Sequence, residues 1–147
     1  MSIIQKSSFF KFLSPGPEDE VIEREKDFLW FDENGILCTV SKDDIGDVSI
    51  DELQKIIDEW EKEHKGETYY MLSVYNPKAK MNKAQRDFIS KVYSKYINAL
   101  AVINDSAMGR MAINLFIAIQ PPPYPLKMFK DEKSAKAWLI SIKNNNE

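Results

Sequence analysis

The alternation of apolar and polar positions along the chain predicts an α/β domain. Short apolar runs typical of strands occur at 28–31, 36–40, 69–75, 99–103 and 126–129. Segments with apolar residues at helical spacing follow each run after the first. The order is therefore a hairpin, a helix and three strand–helix units. It predicts a mixed sheet of four to five strands that begins with an antiparallel hairpin, with helices packed on the sheet.

Three of these runs carry further information about their place in the sheet. The Asn34-Gly35 pair between the first two runs is expected to supply the positive-φ residues of a tight hairpin turn. The run 99–103 is apolar throughout, which is typical of a central parallel strand covered on both faces. Prolines flank the run 126–129, which predicts a strand near an edge.

The first helix is the best-specified element. Ser49 is expected to cap it, with Glu52 completing a capping box, and Gly66 to end it in a left-handed conformation. Its predicted inner face comprises Leu53, Ile56, Ile57 and Trp60.

The other three helices are predicted from their caps. The second begins near Asn82, the third at Asp105 or Ser106, and the fourth at Asp131. We expect Met108 and Met111 of the third helix to pack in the core. The helix carries apolar residues at helical spacing: Met108, Met111, Ala112, Leu115 and Ile119.

Residues 1–20 are expected to form a loosely attached arm, 21–143 the α/β domain and 144–147 a frayed tail. The arm holds an apolar knot of Phe9, Phe10, Phe12 and Leu13. Packing of the knot at the domain edge is favoured over a plug that binds a partner or touches a membrane. Four apolar residues are weak evidence for the plug.

Composition excludes several classes of protein. The chain has 147 residues and 44% apolar content, enough for one core and too short for two comfortable domains. With one cysteine and one histidine, it lacks the ligands for a zinc site and the partners for a disulfide. We therefore predict no metal and no cofactor. The absence of a long apolar run and of a signal-peptide pattern leads us to expect a cytoplasmic protein without stable membrane insertion.

The charge is unevenly distributed. Residues 1–75 contain 8 Lys/Arg and 18 Asp/Glu, whereas residues 76–147 contain 12 and 5. This asymmetry can mark a polar partner surface or head-to-tail association. We favour the interpretation that a compact fold interleaves the two halves and evens out the field. Because the net charge is -3, the basic stretch from Lys78 to Lys95 is interpreted as a solvated face, and no nucleic-acid partner is expected.

Catalytic motifs are weak. Ser106 follows a strand and opens a helix, but the glycine that precedes the serine of a nucleophile elbow is missing. His64 is expected to be exposed at the end of the first helix, and Cys38 to be buried and inert. The scattered glycines form no phosphate loop. A hydrolase that uses Ser106 is therefore disfavoured.

The second half of the chain resembles the SpoIIAA-like proteins of the STAS fold, some of which are described as STAS/Sec14-like. The resemblance rests on 99–106, Arg110, 124–129, 131–132 and 135–139, and it covers about residues 28–142. It implies a four- or five-stranded mixed sheet and a binding or regulatory role.

One departure from that family matters. Its phospho-regulated members open the second helix with a Ser or Thr, where this chain has Asn82. Asparagine is not a substrate for a Ser/Thr kinase, so partner switching in its usual form is not expected. Arg86 lies where such proteins often carry an arginine.

A candidate binding rim follows from the predicted topology. Ligands of open sheets gather beyond the carboxyl ends of parallel strands, where helix N-termini favour anions. The rim would hold Asn76, Lys78, Lys80, Asn82, Arg86, Asn104, Asp105 and Ser106, with Lys130 and Asp131 after the last strand.

These observations predict a non-enzymatic regulatory or protein-interaction domain that self-associates as a dimer or binds a protein partner. The alternative is a carrier of a small anionic or lipid-like ligand. Its head would meet the rim, and its tail would pass under Phe9, Phe10 and Phe12.

Overall fold

A computed structural model describes residues 3–146, apart from the side chain of Ile4. The strands are β1 (Ile22–Glu23), β2 (Asp27–Phe31), β3 (Leu37–Ser41), β4 (Tyr69–Val74), β5 (Ile97–Ile103) and β6 (Leu126–Phe129). The helices are α1 (Ile50–His64), α2 (Lys83–Tyr93), α3 (Ala107–Ile119) and α4 (Glu132–Asn145). Two short 3₁₀ turns, Ile3–Lys6 and Ser8–Lys11, precede them.

The strands form one six-stranded sheet in the order β1-β2-β3-β4-β5-β6. The first two pairings are antiparallel and the other three are parallel. The predicted α/β class is confirmed, as is the edge position of β6, while β5 is an interior strand next to that edge rather than a central one. The predicted strand count was too low because β1 has only two residues, too few to produce a periodic signal.

The hairpin between β2 and β3 is organised by Asp32 rather than by Asn34. The Asp32 Oδ1 accepts hydrogen bonds from the amides of Asn34 (2.8 Å) and Ile36 (2.9 Å). Gly35 has φ +76°, whereas no non-glycine residue among the described ones has a positive φ. The prediction that both Asn34 and Gly35 supply positive φ was therefore wrong, because the carboxylate of Asp32 fixes a different turn.

The main core lies on the face of the sheet covered by α4. Its fully buried side chains include Phe28, Trp30 and Leu139. Phe10 and Leu13 of the arm are each 1% exposed within this core. The favoured packing of the apolar knot is thus confirmed, and the arm is firmly rather than loosely attached; Met1 and Ser2 of the predicted arm lie outside the described residues.

The arm is also held by polar contacts with the end of β3. The Ser7 hydroxyl donates to the Ser41 carbonyl (2.7 Å). The amide of Ser8 donates to the Asp43 carboxylate (2.9 Å), and the Ser8 hydroxyl bonds the same carboxylate. At the other end of the chain, α4 includes Asn144 and Asn145 of the predicted tail, while Glu147 lies outside the described residues.

The predicted helix caps form. Ser49, Asn82, Ser106 and Asp131 cap α1, α2, α3 and α4, each accepting a hydrogen bond from the third helical amide. Among the described helices, the complete capping box belongs to α2, where Gln85 bonds back to Asn82, rather than to α1. Gly66 has φ +80° just past α1, as predicted. Within residues 3–146, every helix falls short of the length and apolarity that a membrane crossing requires.

Helix α3 packs in an unexpected orientation. The carbonyls of Pro125 and Phe129 accept hydrogen bonds from β5, so Met128 between them directs its backbone groups to the outer edge of the sheet. There the Asn114 side chain accepts from the Met128 amide (2.9 Å) and donates to its carbonyl (3.4 Å). The side of α3 that bears Asn114 therefore covers β6, and the apolar side faces solvent.

The prediction that Met108 and Met111 on this apolar side pack in the core was wrong. Five of its side chains are more than half exposed: Met108 83%, Met111 74%, Leu115 63%, Phe116 61% and Ile119 71%. Helical spacing identifies an apolar stripe, but it does not specify what the stripe contacts.

Candidate functional site

The structure places the predicted rim where the carboxyl ends of the parallel strands meet. Val74 of β4 pairs with Ile103 of β5, so Asn76 and Asn104 follow two adjacent parallel strands. Asp131 follows β6, which is paired in parallel with β5. The predicted geometry of the rim is therefore present.

Asn76 joins the ends of β3 and β4. The side chain is 6% exposed. Its Nδ2 donates to the Ser41 hydroxyl (3.0 Å) and the Lys42 carbonyl (3.3 Å), and its Oδ1 accepts from the Lys78 amide (2.9 Å). Both ends of the amide are thus used within the fold.

The second group on the rim follows β5. Asn104 is 5% exposed, and its Oδ1 accepts from the Ser106 amide (3.0 Å). The Ser106 hydroxyl accepts from the Gly109 amide (3.0 Å), and the Arg110 guanidinium donates to the Asn104 carbonyl (2.8 Å). The Ser106 hydroxyl therefore serves as a helix cap. Asp105 is exposed beside it.

The α2 end of the rim is more open. Asn82 is occupied by its capping box, and Arg86 donates to the carbonyl of Met81 (2.7 Å) rather than pairing with an acid. Lys78 and Lys80 are exposed. The rim thus presents flexible lysines around polar groups that are bonded to one another, and a binding role for these residues stays a prediction.

The residues considered for catalysis are far apart. Helix α1 runs back from the carboxyl end of β3, so His64 lies near Tyr69 at the amino end of β4, whereas Ser106 lies beyond the carboxyl end of β5. His64 is half-buried rather than exposed, because its ring stacks on Trp60 (centroids 4.1 Å apart) and its Nδ1 lies 3.1 Å from Glu67. Burial raises the pKa of the Cys38 thiol to about 12, which matches the prediction of a buried cysteine.

An apolar cavity lies on the face of the sheet opposite α4. Its volume is about 80 Å³; α1, α2 and the sheet line it, and part of it opens to solvent. The lining includes Leu29, Leu37, Met71, Trp60 and Tyr93, with Arg24 at its margin. Sequence reasoning missed this cavity because its walls come from distant segments. No group of three metal-ligating side chains occurs among residues 3–146.

The cavity contradicts one part of the carrier hypothesis. The tail of a ligand was expected under Phe9, Phe10 and Phe12, on the face where the arm packs. That space is filled, since the Phe10 ring lies 5.1 Å from Phe28 and 6.1 Å from Trp30, measured between centroids. The space available to an apolar ligand is on the other side of the sheet.

The most unusual surface is the exposed side of α3, which we call the α3 stripe: Met108, Met111, Ala112, Leu115, Phe116 and Ile119. With about 150–250 Å² for a large apolar side chain, the stripe exposes on the order of 600 Å². Isolated exposed apolar residues are ordinary, whereas the largest apolar patch of a typical monomer covers about 300–600 Å² and is often functional, so the α3 stripe lies at the top of that range. Helix α3 contains one charged residue, Arg110, and it is bonded to Asn104.

The fold of this chain is SpoIIAA-like, as the predicted resemblance implied. A crystal structure of an uncharacterized protein from Shewanella loihica PV-4, of the DUF3478 family and described as having a SpoIIAA-like fold, matches with a TM-score of 0.51. The two are 15% identical, and the match covers 82% of this chain and 91% of that one.

The chain itself belongs to the DUF7793 family, described as a domain of unknown function, whose model matches residues 29–143. None of the curated proteins matches the chain.

Proposed function

We propose that this chain is a non-enzymatic protein-interaction domain and that the α3 stripe is its binding surface. One observation carries the proposal: five large apolar side chains of a single helix are more than 60% exposed. Exposure of this kind costs free energy in water, about 25 cal/mol for each Å² left unburied. A protein partner would recover much of that cost.

The arrangement of the reactive residues supports a role without catalysis. The Ser106 hydroxyl accepts a hydrogen bond as a helix cap. His64 lies at the opposite end of the strands, near the amino end of β4. Nucleophilic catalysis needs the nucleophile and its base within hydrogen-bonding reach of each other. The thiol of Cys38 is fully buried.

Site-specific photocrosslinking in living cells tests the proposal. A photoreactive amino acid replaces Leu115 on the stripe, and in a control it replaces Ile22, which is 51% exposed on β1 at the far edge of the sheet. We expect a protein adduct from position 115, absent from position 22, that disappears when Ile119→Asp is added on the same helix. Adducts to lipid alone, or equal adducts at both positions, would contradict the proposal.

The rim is the competing protein-binding surface. Lys78 and Lys80 are exposed, so the double reversal Lys78→Glu/Lys80→Glu would change the charge of the rim without removing buried groups. We expect the adduct at position 115 to persist in this variant with an unchanged melting temperature. Loss of the adduct would move the binding surface from α3 to the rim.

The second candidate function is a carrier, and the apolar cavity is the observation that favours it. A volume of about 80 Å³ accommodates a small apolar group, whereas sites for whole ligands commonly reach roughly 300–1,000 Å³. Native mass spectrometry of gently purified protein would show an added mass of small-molecule size if the chain were a carrier. A protomer or multimer without added mass would favour the interaction domain.

A further inference from the structure

We propose that the occupant of the α3 stripe is a second copy of this chain, with the two α3 helices packed antiparallel about a two-fold axis. This inference rests on the proposed function, because it names the partner of the same surface. It is carried by the pattern of the exposed positions, by their area and by the charge of the helix.

The six positions of the α3 stripe read the same from both ends of the helix. The midpoint between residues 113 and 114 is equally distant from Met108 and Ile119, from Met111 and Phe116, and from Ala112 and Leu115. A two-fold axis at this midpoint therefore places the two stripes face to face over their full length. Isologous interfaces require this self-complementary relation.

The sizes of the side chains also fit an antiparallel pair. The two-fold axis brings Met108 opposite Ile119 of the second copy, and Met111 beside its Leu115. It also brings Ala112 beside Phe116 of the second copy, so the smallest side chain of the stripe receives the largest. Alternation of large and small side chains allows two helices to interlock at the usual 8–10 Å separation.

The area and the charge are adequate for a dimer. A stripe of on the order of 600 Å² approaches the roughly 800 Å² per partner of a standard interface. Interface cores are depleted in charged residues and enriched in methionine and aromatic residues. The α3 stripe contains two methionines and a phenylalanine, with no charged side chain among its six members.

A lipid surface fits the same helix less well. Helices that lie in membrane interfaces carry lysines and arginines on their polar face, which bind anionic headgroups. Helix α3 has no lysine, its single Arg110 donates to the Asn104 carbonyl, and its other side is bonded to β6 through Asn114. The electrostatic part of membrane binding is therefore missing from this helix.

The first test is the oligomeric state of the full chain, measured by sedimentation equilibrium over a range of concentrations. We expect a dimer, and at least about a 100-fold weaker dimer for Leu115→Asp, because the substitution buries two carboxylates near the axis. Ile22→Asp is the matched control and should dimerise like the wild type. Ile119→Lys provides a second disruption at an exposed site, and circular dichroism verifies that each variant is folded.

The second test determines the orientation of the pair. Chains carrying Met108→Cys are mixed with chains carrying Ile119→Cys and treated with a thiol crosslinker that spans about 8 Å, the separation of packed helices. We expect efficient crosslinking of the mixture. Met108→Cys alone should crosslink poorly, because eleven residues at about 1.5 Å each separate the two thiols by roughly 16 Å. Cys38 is buried and does not interfere.

The outcomes separate this inference from the proposed function. A monomeric wild type whose position 115 crosslinks to a different protein would overturn the dimer and leave the interaction domain intact. A dimer that Leu115→Asp does not weaken would also overturn the inference. Cosedimentation of a monomer with anionic vesicles, lost in Leu115→Asp, would overturn both proposals.

Discussion

Asn76 and Asn104 occupy equivalent positions, just past the adjacent strands β4 and β5, and both are buried. Polar residues there are what the rim hypothesis anticipated, yet the hydrogen bonds of their side chains that the structure shows are to other groups of the same fold. Such residues hold loops in place, and the exposed Lys78 and Lys80 remain available for contact with a ligand. The residue types that predict a binding site from sequence therefore also stabilise loops through hydrogen bonds.

Substitution of Asn76 measures this structural role. Asn76→Ala removes bonds to the end of β3 and leaves the amide of Lys78 without its partner, so we expect a loss of about 1–3 kcal/mol in the free energy of unfolding. Asn98→Ala is the control, since Asn98 makes one side-chain bond, to Thr68 (3.1 Å), at a more exposed site. Urea denaturation of both variants provides the comparison, and equal effects would contradict the assignment.

Cys38 permits a prediction about pH. Burial raises the pKa of its thiol to about 12, from an ordinary value of 9.0. The unfolded chain ionises at lower pH than the folded chain, so this group stabilises the fold fully below pH 9, and the contribution is lost as pH rises towards 12. We expect no alkylation of the native protein by iodoacetamide at pH 8 and rapid alkylation in denaturant, as measured by mass spectrometry. Alkylation of the native state at the denatured rate would show that the thiol is accessible.

At the scale of elements, the arm is buried although its sequence suggested loose attachment, and α3 is exposed although its sequence suggested burial. The arm supplies fully buried side chains, whereas α3, the most apolar helix by sequence, presents its apolar stripe to solvent. Both contain apolar residues in a local pattern, and the pattern does not identify the surface that they meet. The apolar residues of the arm meet β2, whereas the edge of β6 binds the Asn114 side of α3 and leaves the apolar side of that helix in solvent.

A pair of phenylalanine substitutions tests this difference in burial between the arm and α3. Phe10→Ala should cost about 3–5 kcal/mol of stability, because it leaves a cavity between Phe28 and Trp30. Phe116→Ala makes the same chemical change at a residue that is 61% exposed, and it should change the stability of the monomer far less. Denaturant unfolding at concentrations below dimer formation measures both. A larger loss for Phe116→Ala would indicate that α3 packs against the core.

Asn114 connects α3 to the edge of the sheet. Its amide satisfies both backbone groups of Met128, which would otherwise present an open strand edge. We expect Asn114→Leu to lower stability and to promote aggregation through β6, because a buried donor and acceptor lose their partner. Gln120→Leu, at the exposed end of the same helix, is the control. Light scattering during thermal unfolding distinguishes the two, and identical traces would remove Asn114 from this role.

At the scale of the whole molecule, the two halves of the chain are arranged differently in the sheet and in the helices that cover it. The strands lie in space in the order of the chain, so the acidic residues 1–75 supply β1–β4 and the basic residues 76–147 supply β5 and β6. The two halves therefore lie side by side in the sheet. The helices bring the two halves together, because α4 of the basic half packs on β4 and its Lys136 pairs with Asp32 (3.1 Å).

This arrangement makes salt a diagnostic of the mode of association. Pairing through α3 buries side chains that carry no charge, so screening should leave the dimer unchanged or strengthen it. Head-to-tail pairing of an acidic half with a basic half should instead weaken with salt. Sedimentation at about 0.05 M and about 0.5 M salt, where the screening length falls several-fold, distinguishes the two. Marked dissociation at high salt would favour the head-to-tail arrangement.

The sequence by itself determined the elements whose signals are local. Ser49, Asn82, Ser106 and Asp131 cap four helices because a side chain bonds an amide only three residues away, and the turn at Gly66 needs only its own backbone. The order of these elements was enough to predict an α/β fold with a mixed sheet, five of its strands, and the rim to which their carboxyl ends lead.

The tertiary structure alone decided which surfaces meet. Burial of Phe10, exposure of Leu115, the pairing of β1 and the cavity beside Trp60 all depend on contacts between segments far apart in the chain. A periodic pattern in the sequence identifies the apolar residues on one side of such a contact, but not the residues on the other side. The other side of α3 is fixed by Asn114 and the edge of β6, and that contact leaves the α3 stripe exposed.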